Sequence, residues 1–417
     1  MEERERFVPR RVGQLMRDLS EMPWDDQGGT GDADAFRAFA RLAAALYHFE
    51  FHEREQSLVE AWDLMARDPA AATELRSALG ELLDDANYTT VTPEELDDAL
   101  HDESMIPLRL EVDLDDYEEL LICRRDTSQE TIEIPRWKGL RTEERTVTIE
   151  GRVVVFAKVR PAEWFEERGI DPAKRNLVPG HVSLKQFQRV PRADIEMLLP
   201  STQVRYRPID TVMVGVPAVV SGIAVLATKL LPTIGLMVVL AGAWIGVRDE
   251  QPELDQAALV VLFGGLMTVG GFMVRQWSKL KNRRVNYLKT LSEALYFRTL
   301  ADGPGVLHIL LSSAEQQEVV EVLLAYRFLL AEPQGLTEDE LDARVEQWLL
   351  DRYDADIDFE VDDALDKLRE LDLVEGDDRL RCRPLRDALA HLDRRWDDLF
   401  QFQPEDRLVT TRASGSD

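Results

Sequence analysis

One apolar stretch constrains this chain more than any other feature. It consists of three apolar blocks, 212–231, 233–247 and 257–274, and the acidic segment RDEQPELDQ separates the second block from the third. About 20 apolar residues are needed for a helix to cross the hydrocarbon core of a bilayer. Since no carboxylate occurs inside the blocks, the stretch predicts a helical membrane hairpin. The alternative is a very hydrophobic helical hairpin buried in a large protein core.

Basic and aromatic residues on both sides of the stretch predict a topology. Basic residues close to a span stay on the cytoplasmic side, and Trp and Tyr settle at the level of the lipid headgroups. Both flanks are therefore expected on the cytoplasmic side, with an even number of crossings. Two crossings satisfy this pattern if 212–231 is interfacial or re-entrant. The residues predicted to lie at the membrane interface are Arg205, Tyr206, Arg207, Arg275, Trp277, Lys279, Lys281, Arg283 and Arg284.

Small residues inside the blocks suggest how the predicted membrane helices would pack. Ala218 and Gly222 form one pair of small residues four positions apart, and Gly242 and Gly246 form another. Such pairs let helices approach closely, within one chain or in a homo-oligomer. Ion and proton pathways usually contain buried carboxylates or histidines, and these blocks contain neither. A channel or transporter made of oligomerised hairpins is therefore the weaker alternative.

The overall charge limits the partners that this chain can have. Its formal net charge is −29 over 417 residues. Nucleic-acid binding depends on basic groups that face phosphates, so the composition argues against a nucleic-acid partner. Cys123 and Cys382 lie far apart in the sequence, which favours free thiols in a reduced compartment. The N-terminal residues contain no apolar core, and no cleaved secretory signal is expected.

Residue patterns on either side of the stretch predict two further domains. Residues 1–207 are expected to form an α+β domain, with helices to about 105 and a small antiparallel sheet from about 106 to 160. The membrane region covers 208–276. Residues 277–407 are expected to be helical and winged-helix-like, and 408–417 to be a disordered tail.

The winged-helix prediction follows from the order of elements after the membrane region. Helical patterns come first, Thr337 and Glu340 form a capping box, and a hairpin pattern with a turn at Gly376 follows. The third helix of a DNA-binding winged helix faces the major groove, but here an acidic run opens it and excludes a duplex partner. The acidic run consists of Asp356, Asp358, Glu360, Asp362 and Asp363. It lacks the central glycine of an EF-hand loop and therefore does not match that calcium-binding motif.

Several segments together resemble a known family. They are VPRADIEMLLP before the apolar stretch, RQWSKLKNRRVNYLKTLSEALYFRTL with GVLHIL after it, YHFEFHERE near residue 50, and DIDFEVDDALDKLRELDLV near 360. As a set, they resemble the transmembrane protein 143 family, a poorly characterised group with bacterial members and a mitochondrial one. The resemblance covers roughly residues 35 to 400. It implies a membrane protein and offers no established catalytic residues.

His48 and His52 are the only metal-ligand pattern that the sequence presents. They stand four residues apart on one face of a predicted helix, among glutamates, and this spacing can bind zinc. The order HFEFH is not the HExxH arrangement of metalloproteases, and no second helix offers an evident partner. The prediction is that no metal or other cofactor is bound. Since no phosphate loop, nucleophile elbow or paired CxxC motif occurs either, the sequence predicts no catalytic residues.

Together these observations predict an α+β integral membrane protein whose helical hairpin carries an α+β domain and a winged-helix-like domain. Both would lie on the cytoplasmic or equivalent side of a bacterial, archaeal or organellar inner membrane. The predicted function is a non-enzymatic scaffold or adaptor that binds protein partners. A membrane-bound enzyme or metal protein using the His48 and His52 region is the first alternative, and the oligomeric channel or transporter is the second.

Overall fold

The computed structural model describes residues 4–24, 30–65, 71–96, 109–136, 141–205 and 295–399, together with isolated positions between 235 and 293. In chain order, the helices of these segments are α1 (Val12–Glu21), α2 (Thr30–Met65), α3 (Ala71–Asp85), α4 (Ala162–Glu167), α5 (Pro304–Leu330), α6 (Glu338–Tyr353), α7 (Val361–Glu370) and α8 (Leu385–Asp398). The strands are β1 (Thr89–Thr90), β2 (Arg109–Glu111), β3 (Tyr117–Arg136), β4 (Arg141–Val159), β5 (Val182–Pro191), β6 (Gln203–Arg205), β7 (Thr299–Asp302), β8 (Val374–Glu375) and β9 (Arg381–Cys382).

Helix α5 is the centre of the helical core. Its apolar residues lie on all sides rather than along one stripe, and a helix with that pattern is stable when protein surrounds it. It packs against α1, α2, α3, α6 and α7. Gly303 precedes it with a φ of +59°, and Pro304 occupies the first turn, where the missing proline N–H costs no helical hydrogen bond.

Residues from both ends of the chain share this core. The ring of Phe39 in α2 stacks on that of Tyr326 in α5 with 4.3 Å between the ring centroids. Helix α2 also packs against α8, close to the end of the described chain. The domain boundaries 1–207 and 277–407 stay a prediction. The structure adds that helices from both of these segments contribute to one hydrophobic cluster.

The main sheet is antiparallel and has the strand order β1-β3-β4-β5-β7. Side chains alternate between its two faces. Val154 and Phe156 of β4 join the helical core, whereas Val153 and Val155 belong to a second apolar cluster on the other face. Gly151 is required in β4, because a Cβ there would lie 2.4 Å from a carboxylate oxygen of Asp126.

The predicted antiparallel sheet is therefore present, and it is larger than the sequence indicated. Strand β5 pairs along β4, and β7 pairs with the other edge of β5. The edge strand β7 comes from beyond the apolar stretch. A sequence pattern limited to residues 106–160 could not include it, because its four residues show no alternation of their own.

The C-terminal elements follow the predicted order. Helices α5, α6 and α7 precede the hairpin of β8 and β9. Beside that hairpin, the backbones of Leu336 and Leu380 form an isolated antiparallel β-bridge. The capping box of Thr337 and Glu340 is confirmed at the start of α6. Gly376 forms the turn with a φ of +98°, where a Cβ would lie 2.3 Å from the Arg379 carbonyl oxygen.

The structure corrects the prediction of an integral membrane protein. Within the described segments, no helix combines the length and the apolar composition that crossing a bilayer requires. Among the described helices, the most apolar long one is α5, and it carries Glu318, Glu321 and Arg327 into a protein core. The fold class is mixed helix and sheet, with a five-stranded antiparallel sheet. The same finding contradicts the predicted membrane localisation and the topology that depended on it.

The residues on which the membrane prediction rested lie mostly outside the described residues. The first apolar block is outside them completely, and isolated positions of the other two blocks are helical and exposed. Arg205 belongs to β6, opposite Arg109, and Arg275 is an isolated described position. The remaining predicted interface and packing residues are not described: Tyr206, Arg207, Ala218, Gly222, Gly242, Gly246, Trp277, Lys279, Lys281, Arg283 and Arg284.

Candidate functional site

A small pocket lies where α2, α7 and α8 meet, and we call it the α2–α8 pocket. Its volume is about 210 Å³, which suits one large side chain rather than a whole ligand of ordinary size. Helix α2 supplies most of the lining, since five of its residues between positions 46 and 53 lie on the face that borders the pocket. The apolar residues that line the pocket are Leu46, Tyr47, Phe49, Leu371 and Leu399.

Carboxylates surround this apolar lining. Glu50 and Glu53 of α2 and Glu370 at the end of α7 line the pocket, against a single basic residue, Arg395 of α8. Arg395 donates a hydrogen bond from Nη1 to the Glu370 carbonyl oxygen at 2.6 Å. Because all four charged residues are exposed, the rim offers a net negative charge to any molecule that enters the pocket.

A buried ionic cluster lies behind Tyr47, which is 7% exposed. Burial raises the pKa of the Tyr47 hydroxyl, and the charge of Glu318 raises it further, so the hydroxyl stays protonated. The cluster is formed by Glu318 and Glu321 of α5 with Asp363 and Lys367 of α7. The four charged side chains connect the central helix α5 to α7.

The Lys367 ammonium lies between the three carboxylates. Its Nζ is 2.9 Å from Glu318 and 2.6 Å from Asp363, and it also donates a hydrogen bond to Glu321. The amide of Asn87 donates to the other oxygen of Glu321 at 2.9 Å and to the Arg6 carbonyl oxygen at 3.2 Å. Asn87 thereby connects the cluster to the N-terminal segment.

The buried carboxylates outnumber the cation, and their pKa values reflect this. Burial raises the pKa of Glu318 to about 8, although the Lys367 charge opposes the shift. Burial likewise raises the pKa of Glu321 to about 7. For Lys367, burial alone would lower the pKa, but the charges of Glu321, Glu318 and Asp363 outweigh burial and raise it. The lysine therefore stays charged, while the two glutamates titrate near neutral pH.

The same cluster is the group of carboxylates that comes closest to a metal site among the described residues. One oxygen from each of Glu318, Glu321 and Asp363 lies within 4.8 Å of the others. Hard cations prefer such oxygen ligands. However, the Lys367 ammonium already occupies the space between them. The arrangement serves as an internal ion network, and a metal ion would have to displace the lysine.

The structure places His48 and His52 on the exposed side of α2 and gives them different partners. His48 Nδ1 lies 3.1 Å from a Glu315 carboxylate oxygen, and His52 Nδ1 lies 3.6 Å from Glu55. His308 of α5 also bonds to Glu55, which the sequence pattern did not suggest. Among the described residues, these histidines do not form a compact set of three ligands. The absence of a bound metal at His48 and His52 stays a prediction.

The predicted acidic run is tied to the N-terminal segment. Arg4 Nη2 lies 3.1 Å from Asp356 and 3.0 Å from Glu346, and Arg6 pairs with Glu360. The contacts of Arg4 with Asp356 and of Arg6 with Glu360 join residues that are 352 and 354 positions apart in the sequence. Sequence reasoning missed it, although alternating basic residues in an N-terminal segment of so acidic a chain were the available signal.

Comparison with known proteins gives one match to a part of the chain. The family model described as "Protein of unknown function (DUF3754)" matches residues 151–305. This range begins in β4, includes β5 and the apolar stretch, and ends at the start of α5. It covers less than half of the chain and does not include the α2–α8 pocket. The resemblance to the transmembrane protein 143 family stays a prediction. No solved structure matches the chain.

Proposed function

We propose that this chain is a non-enzymatic adaptor that binds a basic segment of a partner protein in the α2–α8 pocket. The observation that supports this function is the combination of an apolar lining with carboxylates around it. A peptide that places one large apolar side chain in the pocket would bring neighbouring Lys or Arg residues close to Glu50, Glu53 and Glu370. No described group of side chains suggests a catalytic role for the pocket.

The physical argument is one of anchoring and charge. A single apolar side chain that fills a desolvated pocket can supply much of the binding energy of an interface. Charges at the rim accelerate association and select the partner rather than adding much affinity. A chain with a net charge of −29 repels acidic partners at long range, so the basic class of peptide is the one favoured here.

The experiment uses the full chain and short fluorescent peptides of Gly and Ser. One peptide contains a central Leu flanked by Arg residues, a second replaces the Arg residues by Glu, and a third replaces the Leu by Ser. Fluorescence anisotropy measures their binding to the wild type, to the double variant Glu50→Lys with Glu53→Lys, and to Glu74→Lys. Glu74 is an exposed residue of α3 and does not line the pocket, so its variant is the matched control.

We expect the first peptide alone to bind, with an affinity that falls as salt screens the rim charges. The double variant should weaken binding at least about tenfold, and Glu74→Lys should change it little. Equal binding of the Arg and Glu peptides would contradict the proposal.

A variant that lacks residues 401–417 tests whether the chain's own C-terminal residues occupy the pocket. If only that variant binds peptides, regardless of their charge, the partner assignment is wrong.

A further inference from the structure

A second cavity, independent of the α2–α8 pocket, lies between the N-terminal segment and the β3–β4 hairpin, and we call it the hairpin cleft. Its volume is about 590 Å³, enough for a small molecule. The described side chains that line it are all polar and comprise hydroxyl, guanidinium, carboxylate and amide groups. An apolar ligand would gain nothing in such a cleft, because each lining group would lose water without finding a hydrogen-bond partner.

The cleft contains a guanidinium group that is only partly used. Arg192 donates from Nε to the buried carboxylate of Glu150 at 2.7 Å, and Glu150 also accepts from the Thr127 hydroxyl at 2.6 Å. The structure gives the two terminal nitrogens of Arg192 no partner among the described residues. The hydrogen bond to the buried Glu150 therefore holds Arg192 in place, and its two terminal N–H groups remain available as a planar pair of donors. Such a fork suits the oxygens of a phosphate or carboxylate.

Arg124 brings a second guanidinium group to the same cleft. It donates to Glu95 at 2.8 Å, and the charge of Arg192 also acts on Glu95. Burial opposes the charged form of Glu95, but the Thr92 backbone N–H and Arg124 outweigh burial and lower its pKa. The charges of two guanidinium groups thus act on the partly exposed carboxylate of Glu95 at this end of the cleft. Because Arg192 is itself paired with Glu150 and Glu5 also lines the cleft, an anion would be bound by the unused donors of Arg192 rather than by a net positive charge of the cleft.

Unused hydroxyl and amide groups line the rest of the cleft. The side chains of Thr89, Ser128, Gln129 and Thr148 line it, and the structure gives none of them a hydrogen-bond partner among the described residues. A hydroxyl both donates and accepts hydrogen bonds. Gln129 and Thr148 are paired across the hairpin and share one face. A ligand that offers hydroxyl groups of its own could bond to both side chains, whereas a bare inorganic anion could not.

From this geometry we infer that the hairpin cleft binds a small anionic molecule that carries hydroxyl groups, of the sugar phosphate class. Its anionic group lies against the terminal nitrogens of Arg192, within reach of Arg124. Its hydroxyl groups bond to Gln129 and Thr148, which lie opposite each other on one face of the hairpin. The site is formed by the N-terminal segment, β1 and the residues after it, β3, β4 and the residues after β5, and none of its lining residues lines the α2–α8 pocket.

The test measures binding to the full chain by isothermal titration calorimetry with glucose 6-phosphate, glucose and inorganic phosphate. We expect saturable binding of glucose 6-phosphate, weaker binding of phosphate and no binding of glucose. Arg192→Lys keeps a cation for Glu150 but removes the free pair of donors, so affinity should fall about tenfold. Thr148→Val removes a hydroxyl without a change of shape and should weaken glucose 6-phosphate binding while sparing phosphate.

The matched control is Thr146→Val. Thr146 lies two residues away on the same strand but does not line the cleft, and its substitution should leave binding unchanged. Thermal unfolding without ligand checks that each variant is folded. Three results would overturn the inference: the absence of saturable glucose 6-phosphate binding by the folded wild type, equal binding of phosphate and glucose 6-phosphate, or equal effects of Thr148→Val and Thr146→Val. Because the peptide experiment uses other residues, either proposal can fail alone.

Discussion

Lys367 is held by three carboxylates, of which Glu318 and Glu321 are buried and Asp363 is exposed. Replacing two charges of a buried network by apolar residues is often harmless, but removing one partner leaves the others without compensation. The N-terminal segment takes part through Asn87, which bonds to both Glu321 and the Arg6 carbonyl. The Lys367 side chain therefore affects how three separate segments pack.

The first prediction concerns Lys367→Met. Loss of the ammonium should lower the free energy of unfolding by about 3–5 kcal/mol, because carboxylates remain buried without a cation. Urea unfolding followed by circular dichroism measures this change. The control is Arg369→Met on the same helix, since Arg369 is exposed and pairs with exposed Asp366. That control should cost less than about 1 kcal/mol, and equal effects of the two variants would show that the cluster does not hold the fold together.

The second prediction concerns pH. Glu318 has a folded-state pKa of about 8, above its ordinary value of 4.5, so between these two values the folded state binds more protons than the unfolded state. The free energy of unfolding should therefore fall as pH rises from about 4.5 to about 8. Glu318→Gln should reduce this slope, and should stabilise the protein at about pH 9 relative to the wild type more than at about pH 5. An unchanged slope in that variant would contradict the assignment.

The elements differ in how far the sequence could predict them. Helix α6 was predictable at its start, because Thr337 and Glu340 are local in sequence and their hydrogen bonds depend on the first turn alone. The ionic cluster was not predictable, since Lys367 lies 46 residues from Glu321, which in turn lies 234 residues from Asn87. The sequence pattern of the α2–α8 pocket is equally non-local, because residues of α2 meet residues of α7 and α8 there.

The apolar helix α5 shows a second limit of sequence reasoning. Apolar length alone does not separate a helix that is surrounded by protein from one that is surrounded by lipid, since both are apolar all round. The difference in α5 comes from its charged residues. Arg327 is 1% exposed and donates from Nε to the Leu19 carbonyl oxygen at 3.2 Å, and its guanidinium lies 4.1 Å from the Trp24 ring centroid. Only the fold brings these partners together.

The third prediction tests the start of α6. Thr337 accepts a hydrogen bond from the Glu340 N–H, and Glu340 accepts one from the Thr337 N–H. Thr337→Ala should lower the free energy of unfolding by about 1 kcal/mol, because one N–H of the first turn loses its partner. Chemical denaturation measures the change. Ser57→Ala, at an exposed position inside α2, serves as the comparison and should change stability by less than about 0.5 kcal/mol.

At the scale of the whole molecule, the central feature is that one hydrophobic cluster contains residues from α1, α2 and α3 and from α5 to α8. The chain therefore brings its N-terminal and C-terminal helices together around α5, on one face of the sheet. Cooperative unfolding follows from such an arrangement, because neither group of helices has a complete core without the other. If the predicted domains 1–207 and 277–407 each folded alone, they would instead unfold independently.

The last prediction distinguishes these two possibilities with the full chain. Phe39→Ala removes a ring that stacks on Tyr326 and should cost about 3–5 kcal/mol. Hydrogen exchange followed by mass spectrometry should then show faster exchange in α2 and also in α5, α7 and α8, because all of them rest on the same core. Leu64→Ala is the control on α2, where the side chain is 55% exposed, and it should leave exchange unchanged. If Phe39→Ala accelerates exchange only before residue 207, the two groups of helices unfold independently and the shared core does not govern stability.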